Sequence, residues 1–163
     1  MTTWYQKTCV FVATGFGAGF SPIMPGTVGT LVAFPVFYLA KLWLSPFGIA
    51  ILAFLLFFAA IPICKSAEAY FERPDASQIV IDEIVAMLLV LSTLPAILPE
   101  YWIWQLIGFI AFRFFDIVKP FPIRYIDQHL SNALGIMLDD IIAAFYAILF
   151  LLLSEWLWQN IIL

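Results

Sequence analysis

Long apolar runs separated by short polar connectors organise this chain. Four runs, residues 47–64, 79–98, 101–118 and 134–153, each approach the 20 or so apolar residues that a helix needs to cross a membrane. A fifth, 28–44, is interrupted by Pro35. None of them alternates in polarity as the strands of a membrane barrel do. Residues 8–25 are also apolar but are broken by Gly15, Gly17, Gly19, Pro22 and Pro25. That composition predicts a short or re-entrant piece, because non-helical backbone at membrane depth survives only under a cover of protein or in a wet cavity. The pattern predicts an all-α integral membrane bundle. It has about five transmembrane helices plus a broken N-terminal segment, in a single domain over residues 1–163.

Composition agrees. Hydrophobic residues make up 64% of the 163 and charged residues only 11%, and mean hydropathy is +1.04, far from the profile of a soluble domain. A net charge of −4 without any basic block excludes a nucleic-acid partner. The two cysteines, Cys9 and Cys64, have no metal-like spacing and form no disulfide framework. The N-terminus lacks the charged start and cleavage site of a signal peptide.

The basic residues set the orientation. Lys7, Lys65, Arg73, Lys119 and Arg124 fall on one side of the predicted spans and Lys41 on the other, so the N-terminus and the connectors 65–78 and 119–132 are expected in the cytoplasm. The turn at residues 95–100 and the tail after 153 are expected outside, with Trp102, Trp104, Trp156 and Trp158 as interface anchors.

The rare charges inside the spans then coincide. Asp82 and Glu83 begin one span, Arg113 and Asp116 end another, and Asp139 and Asp140 begin the last. All lie at the cytoplasmic end, roughly 5–10 Å below the membrane edge. Asp82, Glu83, Asp116, Asp139 and Asp140 outnumber Arg113, Lys119 and Arg124 by two charges, a surplus that one divalent cation would neutralise. Oxygen ligands favour Mg²⁺ or Ca²⁺, and Mg²⁺ usually shares its shell with a phosphate. An ion-pair cluster that merely locks the helices is the plainer reading, and it leaves those acids uncompensated.

The segment from Gly15 to Thr30 offers spaced glycines for close helix packing. It also offers a Pro25-Gly26-Thr27 helix start whose free N–H groups suit an anion. Both readings stay open. His129 is the only histidine, so no two-histidine phosphatase site exists, and Ser21, Thr27 and Thr30 have no histidine base nearby. Metal-assisted chemistry on an anionic group at the inner membrane surface remains. The rival is a cation transporter or channel using the same carboxylates, but transporter sites lie near the midplane rather than at one edge.

Four elements carry a family resemblance: Gly17-Ala-Gly-Phe-Ser-Pro-Ile-Met-Pro-Gly-Thr-Val-Gly-Thr30, Ile81-Asp82-Glu83, Phe112-Arg113-Phe-Phe-Asp116-Ile-Val-Lys119-Pro-Phe-Pro-Ile-Arg124 and Gly135-Ile-Met-Leu-Asp139-Asp140-Ile-Ile-Ala143. In order and spacing they resemble the signatures of the phosphatidylglycerophosphatase A family. The resemblance implies a bacterial inner-membrane enzyme that uses Mg²⁺ to remove the terminal phosphate of phosphatidylglycerophosphate, a phospholipid partner. On this expectation Asp82, Glu83, Asp116, Asp139 and Asp140 hold the metal and position a water. Arg113, Lys119 and Arg124 grip the phosphate, and Thr27 and Gly26 add neutral donors.

Overall fold

The computed structural model describes residues 3–94, 101–130 and 132–162, and among these every regular element is helical. Helix α1, Trp4–Ala13, opens on Thr3, whose hydroxyl accepts from the Gln6 N–H. The chain then breaks where Gly15, Phe16 and Gly17 take positive φ, makes one 3₁₀ turn at Ala18–Phe20 and re-enters helix α2, Pro25–Ala40. Pro25 stands in the first turn of α2, where its missing N–H costs nothing. Helix α3, Pro46–Phe71, is capped by the Ser45 hydroxyl, with Pro46 as its first residue. Then follow α4, Ile81–Thr93; α5, Tyr101–Val118; α6, Ile123–His129; and α7, Ala133–Leu157, with a π-helical turn at Trp158–Ile162.

Helix α4 is the centre of the bundle. Ten of its 13 residues are buried, and it packs against α2, α3, α5 and α7. Val80, Met87, Leu88, Leu91, Phe37, Phe112 and Leu151 fill the surrounding core. The outer helices turn large apolar side chains outward: Leu31 on α2, Phe54 and Phe58 on α3, Ile110 and Phe114 on α5, Phe145 and Leu149 on α7. An apolar surface this continuous marks contact with a membrane or a partner.

Among the described residues two runs are long and apolar enough to cross a membrane, Pro46–Phe71 and Ala133–Asn160, and Pro25–Ala40 is a shorter apolar helix. The pattern suggested about five. One reason for the difference is that α4 has only 13 described residues; the end of its apolar run and the expected outer turn, residues 95–100, lie outside the described residues, as does Ser131. The connectors also depart from expectation. Residues 65–71 continue α3 without a break, since Lys65-Ser-Ala-Glu-Ala-Tyr-Phe71 holds no helix breaker and the helix stops only at Glu72, in the left-handed region, ahead of Pro74. Residues 119–132 contain α6, folded back against α7.

Candidate active site

The acidic residues begin two helices. Asp82 and Glu83 lie in the first turn of α4, where the positive end of the helix favours carboxylates. Asp139 and Asp140 lie in the second turn of α7, whose start is capped by the Asn132 carboxamide. The end of α1 pins the start of α4, because the Val80 N–H donates to the Ala13 carbonyl at 2.9 Å. Helix α2 comes close enough to complete the site because of two glycines. A Cβ on Gly29 would collide with the Val80 side chain, and one on Gly26 with the Glu83 carboxylate.

These elements enclose a cavity of about 560 Å³. It is lined by Gly26, Thr27, Asp82, Glu83, Arg113, Asp116, Lys119, Asp139 and Asp140, so nine of the ten residues singled out from sequence meet there. Arg124 does not: it is exposed on α6 and is absent from the cavity wall. Two carboxylates that the sequence reading passed over, Asp75 and Asp127, also line it.

The five expected acids divide by partner. Oxygens of Asp82, Glu83 and Asp140 lie within 4.8 Å of one another. Asp116 instead holds Arg113, Oδ2 to Nη1 2.6 Å, while the same Nη1 stands 3.8 Å from Glu83 Oε1 and donates to the Thr30 hydroxyl at 3.4 Å. Asp139 accepts from Lys119 Nζ at 2.6 Å, and Asp127 accepts from the same ammonium. Burial works against the Lys119 charge, but these two carboxylates outweigh it and hold the ammonium above the usual lysine range.

Four polar atoms of cavity-lining residues are buried without a hydrogen-bond partner: Glu83 Oε2, Asp140 Oδ2, Arg113 Nε and Thr27 Oγ1. Orphaned buried groups are costly and call for a ligand. Two are acceptors within the three-carboxylate cluster, which fits a hard divalent cation. Two are donors, which fit an anion. The N-terminal glycine segment therefore serves packing at Gly26 and Gly29 and presents a free donor at Thr27. His129 does not line the cavity; its ring stacks on Tyr125 and its Nδ1 lies 2.8 Å from the Tyr125 carbonyl.

The sequence model of phosphatidylglycerophosphatase A matches residues 11–155, a stretch that contains every one of these cavity residues. The chain belongs to the phosphatidylglycerophosphatase A family. It is 40% identical over 141 residues to the phosphatidylglycerophosphatase A of Haemophilus influenzae, covering 85% of this chain and 83% of that one. The Escherichia coli phosphatidylglycerophosphatase A is 38% identical over 133 residues, 81% of this chain and 74% of its own. A Bacteroides thetaiotaomicron relative, 35% identical over 153 residues (90% and 93%), carries the provisional name of a phosphatidylinositol-3-phosphatase. No solved structure matches the chain. Membership of this family makes the chain a phosphatase.

Proposed function

We propose that the chain hydrolyses the terminal phosphate of phosphatidylglycerophosphate, giving phosphatidylglycerol and inorganic phosphate, with Mg²⁺ held by Asp82, Glu83 and Asp140. The observation that carries this reading is the pairing of a buried three-carboxylate cluster, two of its oxygens unpartnered, with unpartnered donors in the same cavity. Names of the Haemophilus and Escherichia relatives supply the substrate.

The chain's own residues divide the work. Asp116 holds Arg113 by one terminal nitrogen, which leaves its buried Nε free to donate to a phosphoryl oxygen. The Thr27 hydroxyl and the N-terminus of α2 add uncharged donors. Lys119, fixed by Asp139, supplies a second positive charge. Mg²⁺ held by the three carboxylates would offset their charge and supply a Lewis acid for a phosphoryl oxygen. Water adds to phosphorus and gives up a proton, the phosphorus–oxygen bond to glycerol breaks, and the departing oxygen takes up a proton in exchange, so protons balance over the reaction. Arg124 keeps no direct part, since it stands outside the cavity.

The same reading puts the bundle across a bacterial inner membrane, with α2, α4 and α5 crossing beside α3 and α7 and the cavity facing the cytoplasm. The outward Leu and Phe residues on α2, α3, α5 and α7 support it, as does the basic bias of the connectors. A transporter is disfavoured because Asp82 and Glu83 occupy the first turn of α4, at one edge rather than the middle of the bundle.

Purified protein in detergent should release phosphate from phosphatidylglycerophosphate in Mg²⁺ and far less from phosphatidylinositol 3-phosphate, the lipid suggested by the Bacteroides name. Release from the inositol lipid alone would overturn the substrate assignment.

A further inference from the structure

Lys119 is held by two carboxylates of unequal standing. Asp139 is 7% exposed at its side chain and engaged at both oxygens: Oδ2 takes Lys119, and Oδ1 takes the Asp140 N–H at 3.1 Å. Asp127 is 36% exposed, and among the described residues Lys119 is the only partner of its carboxylate. It sits on α6, one turn after the buried Ile123 and so on the same inward face, and all three charged groups line the cavity.

We propose that Asp127 occupies, in the free protein, the place on Lys119 that a phosphoryl oxygen takes when substrate binds, so that Asp127 is a displaceable stand-in for phosphate. This rests on the phosphatase reading above and assigns Asp127 a positioning role in it. The half-exposed carboxylate is the partner that can leave, because water rehydrates it at little cost, whereas Asp139 is buried and doubly held. A phosphate monoester dianion brings more charge to the ammonium than a carboxylate does. Until it arrives, Asp127 keeps Lys119 aimed into the cavity. After hydrolysis Asp127 returns to Lys119 and competes with the product, so it weakens product phosphate and speeds its release.

The test uses inorganic phosphate as probe on the purified full-length chain in detergent with Mg²⁺. Its dissociation constant and its inhibition constant against lipid are measured for wild type, Asp127→Asn, Asp127→Glu and Asp75→Asn. Asp75→Asn removes the same charge from the wall of the same cavity without touching Lys119, and so measures the general electrostatic effect. Asp127→Asn should tighten phosphate about fivefold beyond Asp75→Asn, lower KM by a similar factor and leave kcat unchanged or reduced. Asp127→Glu, which keeps a competing carboxylate, should stay within about twofold of wild type. Equal tightening in the two Asn variants, weaker phosphate binding in Asp127→Asn, or no phosphate binding by wild type would each overturn the proposal. Binding is read without turnover, so this outcome is separate from the lipid reading, which fails if wild type releases no phosphate from lipid.

Discussion

Replacing Gly26 by alanine separates the site from the fold. Gly26 lies in the first turn of α2, where alanine is the better helix former by about 0.5–1 kcal/mol. Its added Cβ would overlap Glu83 Oε1 and stand 3.2 and 3.4 Å from the Arg113 terminal nitrogens. The overlapping atom is the end of a flexible side chain, so the helix holds and the carboxylate yields, by roughly 1 Å. A displacement of that size at reacting groups costs on the order of 10²-fold, or about 2.7 kcal/mol of transition-state stabilisation. Gly29 is the contrast, because a Cβ there meets the stiff, buried, β-branched Val80 at the start of α4. Overpacking of that kind costs about 1–3 kcal/mol of stability. The assay is kcat/KM for lipid phosphate release, paired with thermal unfolding in the same detergent. Gly26→Ala should lose about 10²-fold in kcat/KM with little change in unfolding temperature, and Gly29→Ala should unfold earlier. Gly26→Ala activity within twofold of wild type, or loss matched by unfolding, would refute the reasoning.

Other outcomes follow from the same geometry. Asp140→Asn, which keeps shape but removes charge from the cluster, should lose about 10²-fold or more in rate while still inserting; a wild-type rate would move the site elsewhere. Chelation should abolish phosphate release and added Mg²⁺ restore it, whereas full activity in metal-free buffer would dismiss the cation. Lys119 is held above its usual range, so its pairing contributes fully below about pH 10.4 and fades only above it. The unfolding-temperature gap between wild type and Lys119→Met should therefore be constant from about pH 8 to 9.5, and a gap that closes over that range counts against the pairing. A cysteine in place of the exposed Gln128 should react with an impermeant thiol reagent in inverted vesicles and not in intact cells; the reverse would invert the topology.

Much of this arrangement was legible in the sequence, because position along packed apolar runs reduces it to one dimension. Charges placed near the ends of apolar runs share a depth, and Asp82, Glu83, Arg113, Asp116, Asp139 and Asp140 meet in one cavity. Depth says nothing about direction around a helix. Neighbours such as Asp139 and Asp140 point apart, so one faces Lys119 and the other the carboxylate cluster. The split of five acids into a cluster of three and two cation partners is thus a tertiary fact. Asp127 escaped notice because a polar connector reads as solvated; only the fold-back of α6 after the Pro120–Pro122 turn returns it to Lys119. The same bias hid the last turns of α3, where polar residues with high helix propensity prolong an apolar helix. Arg124 erred in the opposite direction: its motif spacing is regular, yet α6 turns it outward.

The central claim is that Asp82 and Glu83 from α4 and Asp140 from α7 build one divalent-cation site beside Arg113. Binding of Mn²⁺, followed by electron paramagnetic resonance on the purified chain, tests it directly. Wild type should bind Mn²⁺ in competition with Mg²⁺, and Asp82→Asn, Glu83→Gln and Asp140→Asn should each abolish that binding while Gln128→Cys leaves it intact. Undiminished Mn²⁺ binding in all three carboxylate variants would contradict the account.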